Sequence, residues 1–129
     1  QYALAGINAK VSAFITDMPE AYSAADLVVA RSGALTVTEL AAVGVASLLI
    51  PYPYATDDHQ TANANGLVEA GAATLVPQAD FSVGQACQLL STLLQDRKAL
   101  LNKAQQARSL ATPSATQIIV NACQEFSYV

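Results

Sequence analysis

Residues 27–39 read Leu27-Val28-Val29-Ala30-Arg31-Ser32-Gly33-Ala34-Leu35-Thr36-Val37-Thr38-Glu39. The first four are apolar at consecutive positions, which is the pattern of a strand buried on both faces of a parallel sheet. Arg31-Ser32-Gly33 then turns the chain. A helix is predicted from about Leu35 or Thr36 to Val43, with Gly44 as its stop. A buried strand running through Ser-Gly into a helix within two residues is the junction of a βαβ unit.

The same rhythm continues on both sides. Downstream, a strand over residues 47–50 is stopped by Pro51, and a loop rich in Pro, Tyr and Asp covers 51–58. A helix over 59–70 ends at Gly71, and a strand over 74–76 is closed by Pro77. Upstream, residues 11–15 (VSAFI) read as a further strand. Asp17-x-x-Glu20 is a capping box with Pro19 in the first turn, opening a helix to about residue 25. Ser82-x-x-Gln85 opens a helix to about residue 94, and another covers 97–109. A last helix over 114–126 carries Ile118, Ile119, Ala122 and Phe126 on one face, to pack across the sheet or against another domain. This alternation predicts a Rossmann-like α/β fold with a parallel sheet and right-handed crossovers. In a Rossmann strand order, further strands would lie between 11–15 and 27–30.

Composition fits that class. The chain has 129 residues, 53% hydrophobic and only 12% charged, enough apolar material for a packed core and too little charge for disorder. Net charge is −4 with six Lys and Arg, so no basic face exists for a nucleic acid, and none is expected as a partner. No apolar run approaches the ~18–20 residues of a membrane span. Cys87 and Cys123 fall in helical segments without metal or redox spacing and are expected as core thiols, one disulfide being the alternative. The chain opens at Gln1-Tyr2-Ala3 without a Met and reads as a piece of something longer.

Ligands of open α/β sheets collect beyond the carboxyl ends of the strands. At the 27–39 junction, Gly33 would let a ligand approach the backbone, and the unbonded N–H groups of the helix start carry partial positive charge. Together they form a diphosphate site that needs no metal. Many such turns carry Ser-Gly only to cap a helix, and spacing alone favours that reading. Glu39 follows Gly33 by about one and a half helical turns, where its carboxylate could accept from the vicinal hydroxyls of a ribose. A solvated helix glutamate is the competing reading. At the next junction, Gln60 and Asn63 share a helix face, and amides that both donate and accept suit sugar hydroxyls. An ordinary polar first turn is again the alternative. His59 reads as a cap or surface residue. Asp57-Asp58 lacks the DxD spacing of metal-dependent glycosyltransferases and reads as a helix cap, so no metal and no cofactor are expected.

Residues 11–18, Arg31 to Glu39 and 58–64, with the Glu69-Ala70-Gly71-Ala72-Ala73 step, resemble the MurG family of peptidoglycan glycosyltransferases. The resemblance runs to about Cys123. It implies the C-terminal, donor-binding domain of a GT-B enzyme. The family moves N-acetylglucosamine from UDP-N-acetylglucosamine to undecaprenyl-pyrophosphoryl-N-acetylmuramyl-pentapeptide, inverting the anomeric carbon, in peptidoglycan synthesis at the cytoplasmic face of the bacterial inner membrane. By the resemblance, Ile15 meets uracil through its backbone. Ala34, Leu35, Thr36, Val37 and Thr38 wrap the diphosphate and ribose, Glu39 binds the ribose hydroxyls, and Gln60 contacts the sugar. Arg31 and Asn63 are secondary candidates. The family's opening strand and Gly-rich loop have no counterpart here. Its N-terminal domain, which carries the acceptor site, the membrane-facing patch and a proposed His base, has none either. His59 does not match that base, and this piece alone is expected to be inactive. Two other readings compete: an epimerase or glycolipid synthase of the same architecture, and a non-catalytic donor half that works with a membrane-bound partner. An α/β domain without a ligand is the bland option.

Overall fold

The computed structural model of the chain describes residues 2–126. Three parallel strands form one sheet in the order β1 (Leu27–Ala30), β2 (Ala46–Leu49), β3 (Ala73–Leu75). Leu27 pairs with Ala46, and Ser47 with Ala73. The ladders run one step further at the carboxyl end, where Ile50 N–H donates to Ala30 O and Val76 N–H to Leu49 O, both at 2.9 Å. β2 lies between two neighbours and is buried at every position. That is why its sequence shows no polar alternation beyond Ser47.

The connections are helical. α1 (Met18–Ser23) precedes β1, α2 (Ala34–Val43) joins β1 to β2, and α3 (His59–Glu69) joins β2 to β3. α4 (Val83–Gln95), α5 (Arg97–Ser109) and α6 (Ala115–Phe126) follow. α2 packs on α3 and α5, and α5 reaches back to β2. The core lies between these helices and the sheet, built from Tyr22, Leu40, Val45, Leu49 and Leu67 with several alanines. Ala41, Ala64, Ala72, Ala73 and Ala107 let the layers approach closely. At the end of α2 the chain turns left-handed at Gly44, φ 78°. Arg108 of α5 donates to the carbonyl of Ala42 there, satisfying a terminal acceptor that the helix cannot.

Four expectations are corrected. Residues 11–15 form no strand. They run without regular structure, and Val11 and Phe14 are exposed. A parallel strand needs a neighbour to take its N–H and C=O groups, and none of the described strands pairs with this segment. α6 carries its apolar face outward, with Ile118, Ile119 and Phe126 exposed, so of its two expected partners the sheet is excluded. Cys87 and Cys123 are exposed rather than in the core. Asp58 sits at the N-cap of α3, but its side chain takes no cap bond from the helix backbone and accepts from Thr61 Oγ1 instead, at 2.8 Å.

The Gly44 turn gives a test of the packing. A Cβ at this position would lie 2.9 Å from Arg108 Cβ and 3.3 Å from the Ala104 carbonyl, on a left-handed backbone. Gly44→Ala is expected to lower the free energy of unfolding by about 1–3 kcal/mol, read from urea denaturation.

Candidate functional site at the carboxyl edge of the sheet

The chain leaves β1 through Arg31, Ser32 and Gly33 and enters α2 at once. Gly33 is the N-cap, extended at φ −63° and ψ 151°, and no side chain caps the helix. α1, α4 and α5 differ in this respect. Asp17 accepts from Glu20 N–H, Ser82 and Gln85 complete a reciprocal box, and Asp96 accepts from Ala99 N–H. Val37 N–H is the first amide of α2 to find a helical partner, donating to Gly33 O at 3.0 Å. The amides of Ala34, Leu35 and Thr36 therefore stand at the head of the helix with no intrahelical acceptor. Leu35 is exposed, so this end opens outward. Partial positive charge gathers there.

Two of the five residues expected to wrap an anion are partly committed elsewhere. Val37 gives its amide to Gly33, and Thr38 Oγ1 donates to Ala34 O at 2.9 Å. Ser32 is fully buried, and its hydroxyl has no hydrogen-bond partner among the described residues.

Glu39 lies half-buried, further along α2. Its Oε2 accepts from Tyr22 Oη at 3.2 Å. Tyr22 comes from α1, and its ring is buried in the core. Burial raises the phenol's pKa above its ordinary value, and the adjacent Glu39 carboxylate raises it further by charge and hydrogen bond.

Arg31 is the residue whose role sequence reasoning missed. Its guanidinium is engaged by the loops that follow β2 and β3. Nη1 donates to the carbonyls of Ile50 at 3.1 Å and Pro51 at 2.9 Å, and Nη2 donates to Gln78 Oε1 at 2.6 Å. The fork also lies over the Tyr52 ring, 5.8 Å from its centre. One side chain thus ties the end of β1 to the segments that follow β2 and β3. A planar donor fork is what makes such a three-way tie possible.

The β2–α3 loop is held from a second side. Tyr52 N–H donates to Gln60 Oε1 at 2.9 Å, which fixes the amide orientation and leaves the Gln60 NH2 to donate. Asn63 Nδ2 donates to Ser32 O at 3.2 Å, which joins α3 to the β1–α2 turn and leaves Asn63 Oδ1 to accept. Asp57 and Asp58 both take left-handed backbone conformations at φ 51°, where non-glycine residues are uncommon. Asp tolerates this better than most, because its short side chain can bond locally. His59 is exposed at the start of α3. Ile15 stands apart from this cluster. It lines a groove with Lys10, Phe14, Asp17 and Glu20, and no residue of α2 borders that groove.

Among the described residues, no group of three or more His, Cys, Asp or Glu converges as a metal site. No helix among them is long and apolar enough to cross a membrane.

A family model described as the glycosyltransferase family 28 C-terminal domain matches residues 1–119. The chain belongs to this family. It is 52% identical over 124 residues to a UDP-N-acetylglucosamine--N-acetylmuramyl-(pentapeptide) pyrophosphoryl-undecaprenol N-acetylglucosamine transferase of Marinobacter nauticus, covering 96% of this chain and 34% of the relative. The protein of the same name from an Azoarcus species is 51% identical over 126 residues, covering 98% of this chain and 35% of its own length. The crystal structure of Acinetobacter baumannii MurG superposes with a TM-score of 0.84 at 47% identity, covering 90% of this chain and 33% of that one. The Rossmann-like fold expected from the sequence is therefore that of a GT-B C-terminal domain. The chain spans about a third of the length of the curated relatives it matches.

Two measurements check this geometry. Arg31→Lys is expected to destabilise nearly as much as Arg31→Ala, by roughly 1–3 kcal/mol, because an ammonium cannot reproduce the three-way fork. Recovery of wild-type stability by Lys in chemical denaturation would contradict the clasp. The second concerns Tyr22. A phenol whose folded pKa is raised keeps its full contribution below the unfolded value of about 10 and loses it as pH rises through the folded value. Stability should fall more steeply as pH rises from about 10 toward the folded value in the wild type than in Tyr22→Phe.

Proposed function

We propose that this chain is the donor-binding part of an inverting transferase that moves N-acetylglucosamine from UDP-N-acetylglucosamine to undecaprenyl-pyrophosphoryl-N-acetylmuramyl-pentapeptide. The observation that carries the reading is the head of α2. It lacks the side-chain cap that α1, α4 and α5 possess, and it presents the amides of Ala34, Leu35 and Thr36 outward beside Gly33. A donor pyrophosphate is the ligand such an end favours. Glu39 on the same helix would take the ribose hydroxyls. Gln60 with an amide to donate and Asn63 with an oxygen to accept offer complementary groups to the sugar. Ile15 would meet the uracil edge with its backbone. Arg31 holds the loops in place and lends its charge from a distance.

In the reaction the acceptor hydroxyl attacks the anomeric carbon, the bond from that carbon to the phosphate oxygen breaks, and UDP leaves. Charge grows on the leaving diphosphate, and a helix start aimed at it stabilises the transition state more than the ground state. Removing one such preorganised donor typically costs ~3–4 kcal/mol in other enzymes. The base, the acceptor site and the membrane-facing surface belong to the N-terminal domain of the family. In this reading the whole protein is a peripheral enzyme of the cytoplasmic face of the inner membrane and works in peptidoglycan synthesis, hence in cell shape and division.

Gly33 separates this reading from a plain helix cap. Its backbone is one any residue adopts, and a Cβ would meet only Thr36 Oγ1, at 3.7 Å. Gly33→Ala should therefore leave the melting temperature close to wild type while weakening UDP-N-acetylglucosamine binding at least tenfold, by calorimetry. Unaltered affinity would return the junction to a capping role. Glu39→Ala in the full-length protein should raise the donor KM by about 10- to 100-fold with the fold intact, the scale of lost hydrogen bonds to a charged group. Treatment with EDTA should leave the full-length activity largely unchanged. Strict loss, restored by magnesium or manganese, would defeat a site that works with helix amides in place of a metal.

A further inference from the structure

Glu39 has a notable shortage of partners. Its carboxylate is half-buried on α2, and Tyr22 Oη is its one hydrogen-bond donor among the described residues. The nearest arginine in sequence, Arg31, directs both its terminal nitrogens to Ile50, Pro51 and Gln78. Among the described residues no cation forms an ion pair with Glu39, and the Tyr22 phenol is the side chain that holds it. An ionised carboxylate offers about four acceptor positions on two oxygens. Tyr22 occupies Oε2, which leaves Oε1 open to a ligand.

We propose that Tyr22 is a positioning residue for the donor site, holding Glu39 through Oε2 so that Oε1 faces the ribose diol. The inference rests on the donor-site reading given above. Tyr22 suits the task because its ring is buried. It is locked in the core on α1, whose start is fixed by Asp17 accepting from Glu20 N–H at 2.9 Å. A glutamate on a helix surface samples many rotamers, and a ligand that must freeze them binds less tightly. A charge-assisted bond from a rigid donor removes that freedom in advance. The buried hydroxyl in turn needs an acceptor, so each group satisfies the other. The raised phenol pKa agrees with this, since the phenol stays protonated and keeps donating.

Tyr22→Phe keeps the ring and deletes only the hydroxyl, which separates positioning from packing. Calorimetry on the full-length protein would compare UDP-N-acetylglucosamine with its 2′-deoxyuridine analogue. The wild type should prefer the ribose form. Tyr22→Phe should weaken the ribose form by roughly tenfold, the scale of one hydrogen bond to a charged group, and weaken the deoxy form much less. Glu39→Ala should lose the preference altogether, and adding Tyr22→Phe to it should cost no more affinity. Equal weakening of both ligands, or a further loss on the Glu39→Ala background, would make Tyr22 a packing residue and overturn the proposal. So would wild-type discrimination in Tyr22→Phe. If Glu39→Ala itself keeps the ribose preference, the donor-site reading fails with it, which is a different result from failure of Tyr22 alone. Should Tyr22→Phe not fold, carbon NMR titration of the Tyr22 phenol in wild type and Glu39→Gln decides. A lower pKa in the variant supports the link, and an unchanged one refutes it.

Discussion

One guanidinium holds the carboxyl edge of this sheet together. The three strands end side by side, and beyond them the chain must open into loops that carry polar groups. Carbonyls at strand ends lose their ladder partners there, and unpaired buried acceptors are costly. Arg31 answers two of them, at Ile50 and Pro51, and reaches past β3 to Gln78. Gln60 and Asn63 add cross-links from α3, to Tyr52 N–H and to Ser32 O. The result is a rim of loops fixed to one another by side chains. A site on loops is only as exact as the elements that hold them.

Against that fixed rim, the head of α2 is left open. Capping side chains stand at Asp17, Ser82 and Asp96, where helices meet solvent. A glycine stands at the start of α2, where a capping side chain would occupy an amide. Relative to a side-chain cap, a glycine at this position costs only about a few tenths of a kcal/mol, small enough to be carried by the packing of Leu40 and Ala41 into the core. The two left-handed aspartates before α3 are a second local cost at the same rim. Both departures from local preference fall at the rim where the ligand is proposed to sit, whereas α1, α4 and α5 carry ordinary side-chain caps.

The surface left exposed points outward from this frame. α6 shows Ile118, Ile119 and Phe126 to solvent, and residues 7–15 show Ile7, Val11 and Phe14. These are the segments in which sequence patterning and described packing disagree most. Apolar periodicity reports that a face is to be covered and does not name what covers it. The segment 11–15 has the composition of a strand, but strand formation is a property of a pair.

The sequence by itself determined whatever is decided within a few residues. β1, β2 and β3 were legible because continuous apolar runs between turn residues have few alternatives. The limits of α2 and α5 and the Ser82–Gln85 box were legible because capping is local hydrogen bonding. The junction at Gly33 could be read as a candidate anion site because a buried strand runs through Ser-Gly straight into a helix; the missing side-chain cap is visible only in the structure. Only the tertiary structure decided that Tyr22 meets Glu39, that Arg31 ties the end of β1 to the segments after β2 and β3, and that Gln60 and Asn63 share their amides with the neighbouring turns. Those partners lie 8 to 47 residues apart. No periodicity encodes them, because the order in which strands line up in the sheet brings them together.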